Sequence, residues 1–444
     1  VTVRHMKAIF LLLALLLVAG CNNPASTQKT AKPPTPAKDI SPVFYGFDAS
    51  TTSTLNSYKV QSGHIKIQKS YPLDGADYNR NIKLTTDILY TTTDHSISAT
   101  RLSDGKVIWN EPLNNKPASD PVVTKDTVYI AVLGGQSSAI SDDQPLVMYA
   151  FNIQDGSLRW RQNLPLQTTD ELGIVQNDTS IQSTEVSNNI LYMGTSYGAA
   201  AFDLTSHKLV WYHHEYAAYN FDKLNLASDA LYLQAALGDH TLYVLDPQTG
   251  KTIWSYDTLT TNKEDFSNPF SIVLTPDFNI YEYNNQVVRE VDRLTGKAGW
   301  EIQYRQLTDS NDISKMLVGD QGIYFKTGPG GGDILALNTK DGSKLWTNQS
   351  TDSYQSLAIG QGHIYALGPQ TLYAYNSHTG ALLWKQTVDA SNMEINTTKN
   401  NLYMTDANSL ITSSIANNVT SFDPAAGKIL WSTQNSQIIK STFP

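Results

Sequence analysis

The chain has 444 residues and a formal net charge of −9, with 40% hydrophobic residues, 16% charged residues, 24 tyrosines and one cysteine. That hydrophobic fraction is enough for a core, and low charge beside abundant Tyr, Thr, Asn and Ser favours strands over helices. Residues 1–42 carry Arg4, Lys7, Lys29, Lys32 and Lys38 against Asp39, so the remainder holds 27 basic and 40 acidic residues, a net of −13. A body of that sign lacks the positive charge with which proteins neutralise nucleic-acid phosphates, and it is repelled by anionic lipid. A single cysteine excludes an internal disulfide and an all-cysteine metal site.

The first predicted element is a leader over 1–20. Lys7 precedes an apolar run from Ala8 to Ala19, which is short for a bilayer span. The run closes on Leu17-Val18-Ala19-Gly20-Cys21. Small residues before a lone cysteine resemble a bacterial lipobox, in which the thiol of Cys21 receives a diacylglycerol and the peptide is cut before it. The alternative is an uncleaved anchor helix. Asn22 stands where, in bacteria with two membranes, Asp favours retention at the inner membrane; by that resemblance an outer-membrane destination is open.

Residues 21–42 form the second predicted element, a disordered tether behind the lipidated cysteine. Asn22 to Pro42 is rich in Pro, Ser, Thr and Lys and almost free of apolar side chains. It cannot bury a core, and at ~3 Å per residue when extended it holds the body some tens of Å from the membrane.

From residue 43 onward the chain repeats. Its eight tryptophans are Trp109, Trp160, Trp211, Trp254, Trp300, Trp346, Trp384 and Trp431, spaced 38 to 51 residues apart. Each follows an aliphatic-Tyr pair, from Leu89-Tyr90 to Leu402-Tyr403, and a turn such as Asp246-Pro-Gln-Thr-Gly250-Lys. That spacing accommodates four short strands with turns. The turn glycines Gly105, Gly156, Gly250, Gly296, Gly342, Gly380 and Gly427 supply a positive φ. Asp203-Leu-Thr-Ser-His207 is the one departure. The Trp ring is expected to wedge between adjacent repeats with its N–H on a carbonyl. Eight equivalent positions cannot all touch one ligand, so they are architectural.

This pattern resembles the PQQ-like repeat family, found in quinoprotein dehydrogenases and in the propeller lipoprotein of the outer-membrane barrel-assembly machinery. The resemblance implies an all-β fold, a β-propeller of eight blades, each of four antiparallel strands, over 43–444. Thr54 to Ile67 aligns with Thr371 to Trp384 as a degenerate N-terminal unit, with Ile67 at the Trp position. Its strands either complete an eight-bladed ring by pairing with the C-terminal segment or add a ninth blade.

In such blades the Gly turns occupy one face. The loops between second and third strands share the other face with the interblade connections. There the sequence varies: 134–145, 328–332 and 406–418 between strands, 164–179 and 257–270 between blades. This variable face is the expected protein-binding surface, on a monomer that binds no nucleic acid and carries no cofactor or metal. His213-His214-Glu215 is a weak metal motif, because adjacent strand residues point to opposite faces.

A glycan- or small-molecule-binding propeller is the alternative, with Tyr216, Tyr219, Phe221, Phe266 and Phe270 available to stack on sugars. The resemblance also admits a PQQ-dependent dehydrogenase. Against that, no Asp can be matched to the family's catalytic Asp, and the vicinal disulfide of many members is impossible. The expectation is a non-enzyme.

Overall fold

The computed structural model describes the strands at 44–48, 51–61 and 64–72 and most of the chain from 82 to 439. Within that stretch it leaves out 135–144, 170–174, 215–217, 257–270, 304–315, 328–331, 389–392, 398–401, 407–414 and several shorter segments. The leader, Cys21 and the tether therefore lie outside the described residues. Nearly all of 134–145 and 406–418 does too.

The repeat folds as a β-propeller unit. Among the described residues eight four-stranded antiparallel sheets follow one another, each holding one Trp on its fourth strand. We number these blades 1 to 8, over 82–112, 122–164, 181–214, 223–256, 271–303, 316–348, 356–387 and 393–432. In blade 1 the strands are Ile82–Leu84, Ile88–Thr93, Ser96–Arg101 and Val107–Pro112.

The third and fourth strands explain the repeat's local chemistry. Asp246 Oδ1 accepts the N–H groups of Gln248 and Thr249 at 2.8 and 2.9 Å, and the Gly250 N–H donates to Asp246 O at 2.8 Å. Gly250 sits at φ 68°, which a Cβ would strain. A bulge then brings Trp254 opposite Val244, and the same irregularity places Ala99, Ala150, Ala201, Ala336 and Ala374 opposite their tryptophans. A small cross-strand neighbour leaves room for the indole.

The core lies between blades. Tyr90, Ile97, Ala99 and Trp109 of blade 1 pack with Val128, Ile130, Val132, Tyr149 and Phe151 of blade 2. The Trp109 indole N–H donates to Ile153 O of blade 2 at 3.1 Å. The same bond to the next blade's turn recurs from Trp211 to Pro247, Trp254 to Arg293, Trp300 to Thr339, Trp346 to Ser377 and Trp384 to Pro424, at 2.9–3.0 Å. A Cβ on Gly250 would stand 2.5 Å from the Trp211 ring, so the turn glycine is required by the neighbour as well as by φ. Blade 3 manages without it. His207 takes φ 58° and stacks its own ring on Trp160 at 4.2 Å.

The N-terminal strands β1 (Phe44–Asp48), β2 (Thr51–Gln61) and β3 (His64–Pro72) form a further sheet, closed by the C-terminal strand Ser436–Ile439. The N-terminal strands thus pair with the C-terminal segment, and the sheet they build has five strands, with Ile415–Ala416 at its far edge. Its register corrects one assignment. Tyr58 faces Ile67 and, after the irregularity, Ser57 faces Lys69. The slot of the repeat Trp is therefore held by Lys69, because this hairpin continues pairing out to Gln61 and His64.

Candidate interaction surface

Antiparallel strand order sends the Gly turns and the variable loops to opposite faces. On the turn face the polar groups are consumed locally. The N–H groups of Ser206 and Thr205 hold the Asp203 carboxyl below its ordinary value, and those of Thr249 and Gln248 do the same for Asp246. Arg293 forks onto Asp229 at 2.8 and 2.9 Å and lowers it likewise. Carboxylates so occupied brace turns and have little left to offer a ligand.

The opposite face carries added structure around blades 2 to 4. In the connection from blade 2 to blade 3, Gln167–Thr169 pairs with Val175–Asn177. Between blades 3 and 4, Ala218–Tyr219 pairs with Leu237–Gly238 of blade 4's own loop. Asp178 ties the first of these hairpins down. Its N–H donates to Leu166 O at 2.8 Å. Its carboxylate, 1% exposed, accepts Thr195 Oγ1 at 2.5 Å, the Tyr212 hydroxyl at 2.7 Å and the Tyr197 N–H at 3.2 Å. Burial pushes this carboxyl up even though the three bonds pull it down. Gly194 lies beneath, where a Cβ would meet Ser183 Oγ at 2.4 Å and Phe221 O at 2.6 Å.

A second polar anchor joins blades 6 and 7. The Tyr373 hydroxyl donates to Asp352 at 2.5 Å, the hydroxyls of Tyr354 and Tyr375 meet at 2.7 Å, and Lys326 Nζ donates to Tyr354 O at 2.9 Å. Burial raises both Tyr354 and Tyr375. The Asp178 anchor is buried and the second is partly buried, and in both the polar groups bond to one another, which fixes the base of the loops they carry. The sequence offered no signal for them, because their partners are brought together only by blade register.

Of the aromatic residues considered for sugar stacking, Phe221 is fully buried, edge-on to Tyr243 at 5.8 Å. It caps a blade interface and is closed to a ligand. Tyr216, Phe266 and Phe270 lie outside the described residues, as does the Tyr219 side chain. The rings of His213 and His214 point apart, the first to Tyr243 and the second to Tyr197 and Tyr212. Burial lowers His214. Among the described residues no three His, Cys, Asp or Glu side chains converge, and no helix is long and apolar enough to cross a membrane.

A family model described as outer membrane protein assembly factor BamB matches residues 80–218, 143–256 and 284–439. An uncharacterised protein of Rickettsia prowazekii (strain Madrid E) is 24% identical over 292 residues, 61% of this chain and 62% of that protein. One from Rickettsia conorii (strain ATCC VR-613 / Malish 7) is 22% identical over 289 residues, covering 60% and 61%. The chain thus spans 61–62% of the length of the curated relatives it matches. Among solved structures, BamB from Moraxella catarrhalis shares 16% identity over 74% of this chain and 93% of its own, with a TM-score of 0.43. A eukaryotic initiation factor aligns with 8% identity over 89% of this chain and 97% of its own, at a TM-score of 0.57, a likeness of fold alone.

Proposed function

Because the chain belongs to the family of the outer membrane protein assembly factor BamB, we propose that it is a non-catalytic scaffold of the cell envelope. It is lipidated at Cys21, tethered by 22–42, and presents the variable face of its propeller to a protein partner in outer-membrane protein assembly. The observation that carries this reading is the division of labour between the faces. The turn face spends its Trp, Gly and Asp residues on holding blades together. The variable face carries the extra hairpin at 167–177, rooted in the buried Asp178 network, and the added pairing of 218–219 with 237–238. Rigidly based loops of irregular sequence suit recognition of a folded partner, by loop docking or by strand addition to a short exposed hairpin.

In-cell crosslinking from photoreactive residues placed in 134–145 and in 406–418, followed by mass spectrometry, tests the proposal. The expected result is a reproducible crosslink to a β-barrel assembly protein from these loops and none from the turn around Gly342. Crosslinks from the turn face alone would reverse the assignment of faces. Crosslinks to no protein from either face would sink the scaffold reading. Titration with PQQ and Ca²⁺, followed by Trp fluorescence, tests the non-catalytic part; saturable quenching at micromolar cofactor would overturn it.

A further inference from the structure

The body's acidity is not shared between its two faces. The segments that join second to third strands, or one sheet to the next, hold 19 acidic and five basic residues from residue 43 onward. Those that join first to second or third to fourth strands hold 11 acidic and eight basic residues. The strands and the C-terminal end carry the other ten acidic and 14 basic residues. The variable face therefore accounts for the whole acidic surplus of the body.

At the turn face many of the acids have local partners. Arg101 meets Asp104 at 2.8 Å, Arg159 meets Asp126 at 2.9 Å and Arg293 meets Asp229 at 2.8 Å. Asp155 and Asp341 each accept a serine hydroxyl and that serine's N–H within the turn. At the variable face the ion pair among the described residues is Lys116 with Asp94, at a looser 3.5 Å. One face is thus close to neutral and internally paired, and the other is anionic.

Within the variable face the charge gathers in one arc. The segments 134–145, 165–180, 215–222, 235–241 and 257–270, which belong to blades 2 to 4 and the connections that follow them, hold 11 acidic residues and one basic residue, Lys263. Further round, 285–286, 304–315, 328–332, 349–355 and 368–370 hold three acidic and two basic residues. The acidic arc is also where the added pairings stand, Gln167–Thr169 with Val175–Asn177 and Ala218–Tyr219 with Leu237–Gly238. Asp178, one of the 11 acids, is buried, and its bonds fasten the hairpin whose strands flank Asp170 and Glu171. Charges within a Debye length of ~8 Å act together, so the field of the arc is set by the charge its segments bring to it.

We propose that this arc of the variable face, over blades 2 to 4, is an anionic docking surface for a basic patch of a protein partner. The inference rests on the scaffold reading above and adds the partner's chemistry to it. A one-signed field raises the rate of encounter with a surface of opposite sign and turns away surfaces of its own sign. The added strands give that encounter a fixed footing. Lysine and arginine side chains on the partner are the complement of the arc, and the association weakens as salt rises.

Binding of a fluorescent decalysine peptide to the purified full chain carrying Cys21→Ser, read by anisotropy at low salt, tests this. One variant neutralises the arc with Asp142→Asn, Asp143→Asn, Asp170→Asn and Glu171→Gln. Its control makes the same change of charge at the turn face with Asp87→Asn, Asp104→Asn, Asp277→Asn and Asp341→Asn. The arc variant should bind the peptide about tenfold more weakly and the control within about twofold of the parent. Equal losses in the two variants would show that the net charge of the body acts without regard to face, and would overturn the proposal, as would no loss in either. In-cell crosslinking from 406–418 separates this inference from the reading beneath it. Loss of the partner crosslink in the arc variant supports a basic partner. A crosslink undiminished in that variant overturns the anionic docking surface and leaves the scaffold standing. Absence of any protein crosslink in the wild type overturns both.

Discussion

Asp178 shows how a single side chain can set the footing of a connecting hairpin. Its carboxylate gathers a threonine hydroxyl, a tyrosine hydroxyl and a backbone N–H from positions 17, 34 and 19 residues away. Burial raises its pKa above the value it has in the unfolded chain, about 3.9. The folded state therefore binds this proton more tightly than the unfolded state. The stability it contributes is full below the unfolded value, is lost as pH rises through the raised folded value, and is level above that. Asp178→Asn removes the titration while keeping one acceptor oxygen. Melting temperatures of both proteins between pH 3.5 and about 7 should show the variant gaining on the wild type as pH rises through this window. A difference that stays constant would mean that the carboxyl does not titrate there. His207 illustrates the converse economy. A side chain at positive φ is normally strained, by about 1–3 kcal/mol, and here its ring stacks on Trp160, where the other blades bring a bare turn glycine.

At the scale of the element, the repeating unit is the hairpin of third and fourth strands, and its energetic partner is the next blade. Trp300 lies between Tyr281 of its own sheet, at 6.3 Å, and the turn of blade 6, where its indole N–H reaches Thr339 O at 3.0 Å. Trp300→Ala should lower stability by about 3–5 kcal/mol, as large core truncations do, and leave Ile302 and Gly342 facing the space the indole filled. Urea denaturation of the purified variant measures this, and an unchanged midpoint would show that the ring adds nothing across the seam. These hairpins were legible in the sequence because one chemistry recurs: an acid or amide, a turn, a residue at positive φ, then Trp. Where the chemistry lapses, legibility lapses with it. The N-terminal hairpin has a Gly at the right distance from Ile67, yet its strands pair further toward the turn and shift the slot to Lys69. In the sequence the extra hairpin at 167–177 has the character of an irregular connection. Gln-Thr-Thr and Val-Gln-Asn are strands of three residues without apolar alternation, and they carry no period to detect. The polar networks of Asp178 and Asp352 were invisible for the same reason: each rests on contacts that only the assembled sheets create.

For the whole molecule, charge and covalent anchoring have to be weighed together. The chain from residue 43 carries a net of −13, so an anionic bilayer repels it and adsorption cannot hold it at a membrane. In the envelope location proposed above, retention would come from the N-terminus, through acyl chains on Cys21 or through the apolar segment 8–19 left in place. The two differ in what a single atom decides. Each buried methylene of an acyl chain contributes about 0.8 kcal/mol, and more than one chain gives stable attachment. Loss of the thiol removes that attachment completely, whereas it leaves an apolar helix almost unchanged. Cys21→Ser should therefore appear in the soluble fraction of lysed cells, at the size of the full chain or of a product cut elsewhere. The wild type should remain with the membranes through a high-salt wash, because its attachment is not electrostatic. If Cys21→Ser stays in the washed membranes, the uncleaved segment is the anchor. The tether 22–42 would then follow a spanning helix, and the lipidated form proposed above would be wrong even with the propeller and its variable face unchanged.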